Sequence, residues 1–217
     1  MGRFQTQMSE MTHRSETGKE YRYILGSGLM KTSDVVVDDE YCYQSCIRCA
    51  KLYDGGCAKQ APRFRSFVKR YEYIIFVWTD FIWDDFRQKS FVNIAIFNAM
   101  VGKMFKRVMR VIRQQFKGET THLISGFCRG CSVCSFPVLG FCVNPTKRQF
   151  SLEATGILVS KTLEKFGHPE LSWVFTDDKV FSLTKVEAIL FNSDNKIDFS
   201  DIFNHLRYLF LTEGENV

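Results

Sequence analysis

Two sets of cysteines account for every thiol in the chain. Cys42, Cys46, Cys49 and Cys57 follow the spacing C-x3-C-x2-C-x7-C, and Cys128, Cys131, Cys134 and Cys142 follow C-x2-C-x2-C-x7-C. Cysteines two or three residues apart let one tight turn fold their sulfurs around a common centre, and a more distant fourth can close it. Two quartets of nearly equal spacing form a ligand arrangement, so all eight cysteines are candidate metal ligands and two metal centres are expected.

Three closely spaced thiolates plus one suit an iron–sulfur cubane, whereas structural zinc usually arrives as two C-x2-C pairs. Two [4Fe–4S] clusters are therefore the expected cofactors, with zinc as the alternative. In bacterial ferredoxins the fourth cysteine of a run serves the other cluster. Spacing thus leaves open whether Cys57 and Cys142 close their own sites or exchange partners. The first set also matches the spacing by which radical S-adenosylmethionine enzymes hold a cluster with one open iron. Against that reading stand Cys57 as a fourth ligand and the lack of both a repeated strand–helix pattern and a downstream glycine-rich segment. No Walker loop or G-x-G-x-x-G is present. His13 stands alone in a polar segment, and His122, His168 and His205 have no paired carboxylate at useful sequence spacing, so structural or surface roles are expected for them. Phe127, Phe136 and Phe141 flank the second set and would either keep water from a cluster or join the ordinary core.

The elements that must position these thiols belong to a chain of 217 residues, 45% hydrophobic, which can bury its own core without disulfide staples. The first residues hold no apolar h-region and no small-residue cleavage pattern, and no apolar run is long enough to span a bilayer. A reduced, cytoplasmic protein without a membrane partner is expected. A net charge of +5 and a pI of 8.7 give a basic excess that reads as mild and dispersed. Nucleic acid is therefore not expected as a partner.

Residues 1–20 are polar and aperiodic and read as a disordered segment or arm, leaving 21–217 as a single iron–sulfur domain with cysteine loops at 42–62 and 126–145. Two short extended pieces are expected around Gly26 and Gly28. A short helix follows Pro62, then a strand over 73–79, a helix over about 91–116 with one apolar stripe, and a strand over 121–127. The basic side of the long helix could dock an acidic redox partner, although a solvated face explains it as well. Further on, 151–154 and 158–166 read as helical. Strands are expected at 173–175, 180–183 and 186–192, with a turn at Asp177 and Asp178, before a last helix over 199–211. The fold class is α/β or α+β: one compact domain with a small mixed sheet, flanking helices and two cysteine-rich cluster-binding loops.

The stretch from Ser125 to Ile157 resembles an uncharacterised family of cysteine-rich, predicted metal-binding proteins of anaerobic bacteria and archaea. The resemblance runs from about Tyr41 to Gly167. It rests on Cys128, Cys131 and Cys134, on Cys142 near Pro145, and on Ser151, Leu152, Glu153, Ala154, Gly156 and Ile157, which match a Ser-Met-Glu-Ala segment followed by Gly-Ile. The first block is looser: Ala58 and Lys59 follow Cys57 where the family tends to have two prolines. Gln149, Phe150 and Leu158 also depart from its pattern, which bears on specificity if Glu153 touches a substrate. The resemblance implies metal binding and no particular reaction. The expected function is electron transfer through two clusters to or from a partner enzyme, with a redox protein as partner. The alternatives are an iron–sulfur enzyme using an open iron for sulfur transfer or reductive activation, and a structural zinc module.

Overall fold

The structure is a computed structural model that describes residues 4–14, 18–47, 56, 59–82, 90–126, 128–171, 182–192 and 198–214. Its centre is one mixed sheet. Strands β1 (Phe4–Arg14), β2 (Glu20–Lys31), β3 (Tyr73–Ile82), β4 (Thr121–Ile124), β5 (Phe150–Ser151) and β6 (Ser182–Phe191) lie in the order β1-β2-β3-β6-β4-β5. All neighbours are antiparallel except β4 and β5. Helices α1 (Asp39–Ile47), α2 (Phe64–Phe67), α3 (Ser90–Gln115), α4 (Phe136–Leu139), α5 (Val159–Glu164) and α6 (Phe199–Gly214) complete an α+β fold. No described helix is long and apolar enough to cross a membrane.

Alternation along the central strands sends neighbouring side chains to opposite faces of the sheet. On one face Ile75, Val77 and Phe81 of β3 join Ile189 of β6 beneath α3 and α6. The α3 stripe supplies Val101, Met104, Phe105, Val108, Met109 and Ile112, all with no exposed surface. Each such side chain contributes about 1.5–3 kcal/mol by leaving water. On the other face Ile74, Phe76 and Trp78 pack with Val186, Ala188 and Leu190 beneath Phe64, Phe67, Leu163 and Phe166.

Several expectations need correction. Residues 4–14 are no disordered arm: they form β1 and pair with β2 over their full length. The polar composition suits an edge strand with one face in water. His13 on β1 is buried, 2% exposed, with neither ring nitrogen hydrogen-bonded among the described residues, and burial lowers its pKa. The two pieces around Gly26 and Gly28 are one unbroken strand. Glycine is needed there because a Cβ on Gly26 would fall on the Trp78 indole and one on Gly28 on the Phe166 ring. Residues 151–154 give the end of β5 and a 3-10 turn rather than a helix. The first cysteine loop begins as a helix, since Cys42 and Cys46 lie on α1. The strand expected to begin at 186 starts at Ser182 and absorbs the end of the preceding one. The strand at 173–175 and the turn at Asp177 and Asp178 lie outside the described residues.

Candidate metal centre

The second cysteine set lies in the connection from the carboxyl end of β4 to the amino end of β5. These two strands pair in parallel, Leu123 with Phe150 and Ile124 with Ser151, so the chain leaves the sheet at Ile124 and returns beside it at Phe150. Everything between is a knuckle. Gly126 at φ 75° turns the chain out, α4 forms one helical turn that Gly140 at φ 74° ends, and a 3-10 turn at Pro145–Lys147 leads back. The Ser135 hydroxyl donates to the Phe141 carbonyl at 2.9 Å and accepts from the Val143 amide at 3.2 Å, bracing the knuckle from within.

Two sulfurs accept N–H groups. The Gln149 amide donates to Cys128 Sγ at 3.3 Å and Asn144 Nδ2 donates to Cys131 Sγ at 3.3 Å. Donors aimed at sulfur stabilise its anionic form and tune a bound metal. Cys131 is exposed, while Cys128, Cys134 and Cys142 are partly buried. Cys42 differs: it is 3% exposed, and its thiol donates to the Ile157 carbonyl at 3.5 Å, which needs the protonated form. Cys49 and Cys57 lie outside the described residues. Among the described residues no three cysteine, histidine or carboxylate side chains are gathered closely enough to hold a metal ion.

The segment from Gln149 to Ile157 joins the two sets. Besides the Gln149 bond to Cys128 and the Ile157 bond from Cys42, the Ser151 amide donates to the Gly56 carbonyl at 3.5 Å. Gly56 is the residue before Cys57. A Cβ placed on it would stand 3.1 Å from the Cys128 Cβ and 2.7 Å from the Gln149 carbonyl, so only glycine allows this approach. Arg148 adds a third tie, donating to the Gln60 carbonyl at 3.3 Å while stacked over Phe136 and Phe150. At the other end, the Asp38 amide donates to Gly156 and α1 rests on the 3-10 turn Glu153–Thr155.

Behind Cys128 lies a buried ionic cluster. Arg129 donates Nη1 to the Gly102 carbonyl of α3 at 2.9 Å and pairs through Nη2 with Glu187, whose other oxygen lies 2.7 Å from His122 Nε2. Glu187 has no exposed surface, and Lys185, two residues earlier on the same face of β6, is 7% exposed. Burial, together with the neighbouring Arg129 cation, lowers the Lys185 pKa to about 8, against the pull of Glu187 and Glu153. Burial also raises the Glu153 pKa, favouring its neutral form. The cluster therefore sets Arg129 and Lys185 around the fully buried Glu187 carboxylate, directly beneath the cysteine knuckle.

Sequence spacing hid these partners. His122 finds Glu187 65 residues away, and His168 finds Asp80 88 residues away, where no paired carboxylate was expected. The visible signal was charge inside an apolar strand: Lys185 and Glu187 alternate with Val186 and Ala188 in a run that reads as buried. Phe141 does not join the core, being 59% exposed, and Phe127 lies outside the described residues.

A family model described as predicted metal-binding protein (DUF2284) matches residues 28–186. The chain belongs to that family. The match takes in both cysteine sets, the Gln149–Ile157 bridge and Lys185. No curated protein and no solved structure gives a significant match.

Proposed function

We propose that this member of the predicted metal-binding family is a cytoplasmic iron–sulfur protein that holds two [4Fe–4S] clusters and passes electrons to or from a partner enzyme. The observation that carries the reading is the cysteine knuckle set over the Arg129 and Lys185 side chains, with N–H donors already aimed at Cys128 and Cys131. A thiolate-ligated cluster is anionic, and buried Arg129 and Lys185 supply the positive field that it needs. Cys128, Cys131, Cys134 and Cys142 would hold one cluster, and Cys42, Cys46, Cys49 and Cys57 the other. Bound there, a cluster supplies one-electron transfer without a proton donor. The chain's own part is to orient the sulfurs through Gln149 and Asn144, to offset charge through Arg129 and Lys185, and to fix Arg129 on Glu187 and Gly102. Contact between Gly56 and Cys128 keeps the two sets adjacent, as electron passage between them requires.

Anaerobic purification followed by iron and sulfide analysis, and EPR of the reduced protein, tests this. About eight irons per chain is the expected outcome; a colourless protein with stoichiometric zinc would overturn it and leave a structural module whose metal contributes folding energy. One observation favours a second reading. Cys42 is held as a thiol on Ile157, which leaves three cysteines for the first centre and an open iron for sulfur transfer or reductive activation. Cys42→Ser retains the donor to Ile157 while removing the sulfur that could ligate iron. Loss of half the iron supports two closed clusters; unchanged iron favours the open one.

A further inference from the structure

Among the described residues, five of the ten exposed large hydrophobic side chains lie on the knuckle. Val133 is 81% exposed, Val138 85%, Phe141 59%, and Leu139 and Val143 51% each. All five lie within the loop that carries Cys131, Cys134 and Cys142. They are not loose chain: the Ser135 bonds and the α4 turn hold the backbone that presents them. Exposed apolar groups on a braced loop are costly in water unless another surface covers them.

The charge around them is one-sided. Between Asp85 and Glu153 the sequence contains a single acidic residue, Glu119, which is occupied by Arg70 at 3.0 Å. The basic excess is thus segregated, not dispersed as composition suggested. Lys147 is exposed at the foot of the knuckle, where Gly130 packs against its carbonyl. Arg129 fastens the knuckle to α3 at Gly102, and Lys103, Lys106 and Arg110 stand exposed on the following turns of that helix.

We infer that the knuckle is the docking surface for an acidic redox protein, whose apolar centre covers Val138 and Phe141 while its carboxylates meet Lys147 and the lysines of α3. This rests on the electron-transfer reading and names the partner's chemistry. An apolar centre with a charged rim is the anatomy of transient protein interfaces, and complementary rim charge raises the association rate. Docking here would bring the partner against the exposed Cys131 side of the second set. A second copy of the chain would set the same cationic rim against itself.

The test uses the anaerobically purified full chain and a purified acidic two-cluster ferredoxin as probe. Binding is measured by calorimetry and electron exchange by stopped-flow absorbance. Val138→Asp with Phe141→Asp is expected to weaken binding at least about tenfold, and Lys103→Glu with Lys147→Glu to slow association about tenfold at low salt. Iron content, EPR and circular dichroism should match wild type, since all four side chains are exposed. Absence of ferredoxin binding, or wild-type affinity and association rate in both double variants, would overturn the inference. So would a wild-type dimer that Val138→Asp with Phe141→Asp dissolves, or sedimentation with anionic vesicles that the same variant abolishes. Iron-free protein that still binds ferredoxin through these residues would uphold the docking surface and sink the cluster reading.

Discussion

Two buried histidine–carboxylate pairs lie back to back across β3 and β6, and they are built differently. On the face beneath α5, His168 Nε2 meets Asp80 at 3.0 Å while Nδ1 lies 2.6 Å from the Pro169 carbonyl. Both partners are acceptors, so both ring nitrogens must donate, which only the imidazolium form can do. Thr184, the register partner of Asp80, donates to the same carboxylate at 2.6 Å. One cation meets one anion and the pair is closed. On the opposite face Glu187 meets both His122 and Arg129 with Lys185 beside it, so that one carboxylate is shared among several basic side chains. Two histidine–carboxylate pairs thus serve two ends. The closed pair fastens the turn after α5 to the sheet, and the shared Glu187 carboxylate ties the cysteine knuckle to β6 through Arg129.

The largest expected effect follows from removing each carboxylate. Glu187→Ala leaves Arg129 and Lys185 buried without their anion and should cost about 3–5 kcal/mol. Asp80→Ala removes a partner that is itself partly exposed, so about 1–3 kcal/mol is expected. Urea unfolding of the two variants measures both. Equal losses would mean that the additional basic side chains sharing Glu187 carry no special cost.

A smaller effect isolates the knuckle from the cluster below it. A Cβ on Gly130 would land on the Lys147 carbonyl, so Gly130→Ala must push the outgoing and returning arms apart. An expected loss of about 1–3 kcal/mol should come with faster hydrogen exchange at the Gln149 amide, the donor to Cys128. Exchange at Gly26 and Ile75, in the central strands, should stay at the wild-type rate. Uniform acceleration across the sheet would show that knuckle and sheet open as one unit.

How far these features were legible in the sequence depends on the range of the interaction that makes them. Local signals carried well: the period of Val101, Met104, Phe105, Val108 and Ile112 gave α3, and the run from Tyr73 gave β3. The cysteine sets were visible because ligand spacing is itself local. Residues 4–14 were misread because an edge strand needs no apolar run; its stabilisation comes from pairing with β2, which no short window contains. The ion pairs were missed for the same reason. Arg129 and His122 lie 58 and 65 residues before Glu187 and meet it only when β4 and β6 pair. The approach of Gly56 to Cys128 is a third case, since nothing in the residues around Gly56 announces that another backbone will press on it.

The smallest effect is the pH response of the closed pair. Burial alone would lower the His168 pKa, but the hydrogen bond and charge of Asp80, with the Pro169 carbonyl, outweigh it and leave the value raised. A group whose folded pKa lies above its unfolded value contributes stability that is complete below the unfolded value, about 6.5 for histidine. That stability is lost as pH rises through the folded value, because the native state must then give up a proton it holds more tightly. The His168 contribution, read as the difference in urea unfolding free energy between wild type and His168→Gln from about pH 5.5 to 9, should therefore fall with rising pH, by no more than about 1.4 kcal/mol per pH unit for one proton. His168→Gln should remove this part of the slope while Glu187→Ala leaves it in place. If Glu187→Ala flattens the curve instead, the titrating pair belongs to the knuckle face, and the assignment of a closed, proton-holding pair to the α5 face is wrong.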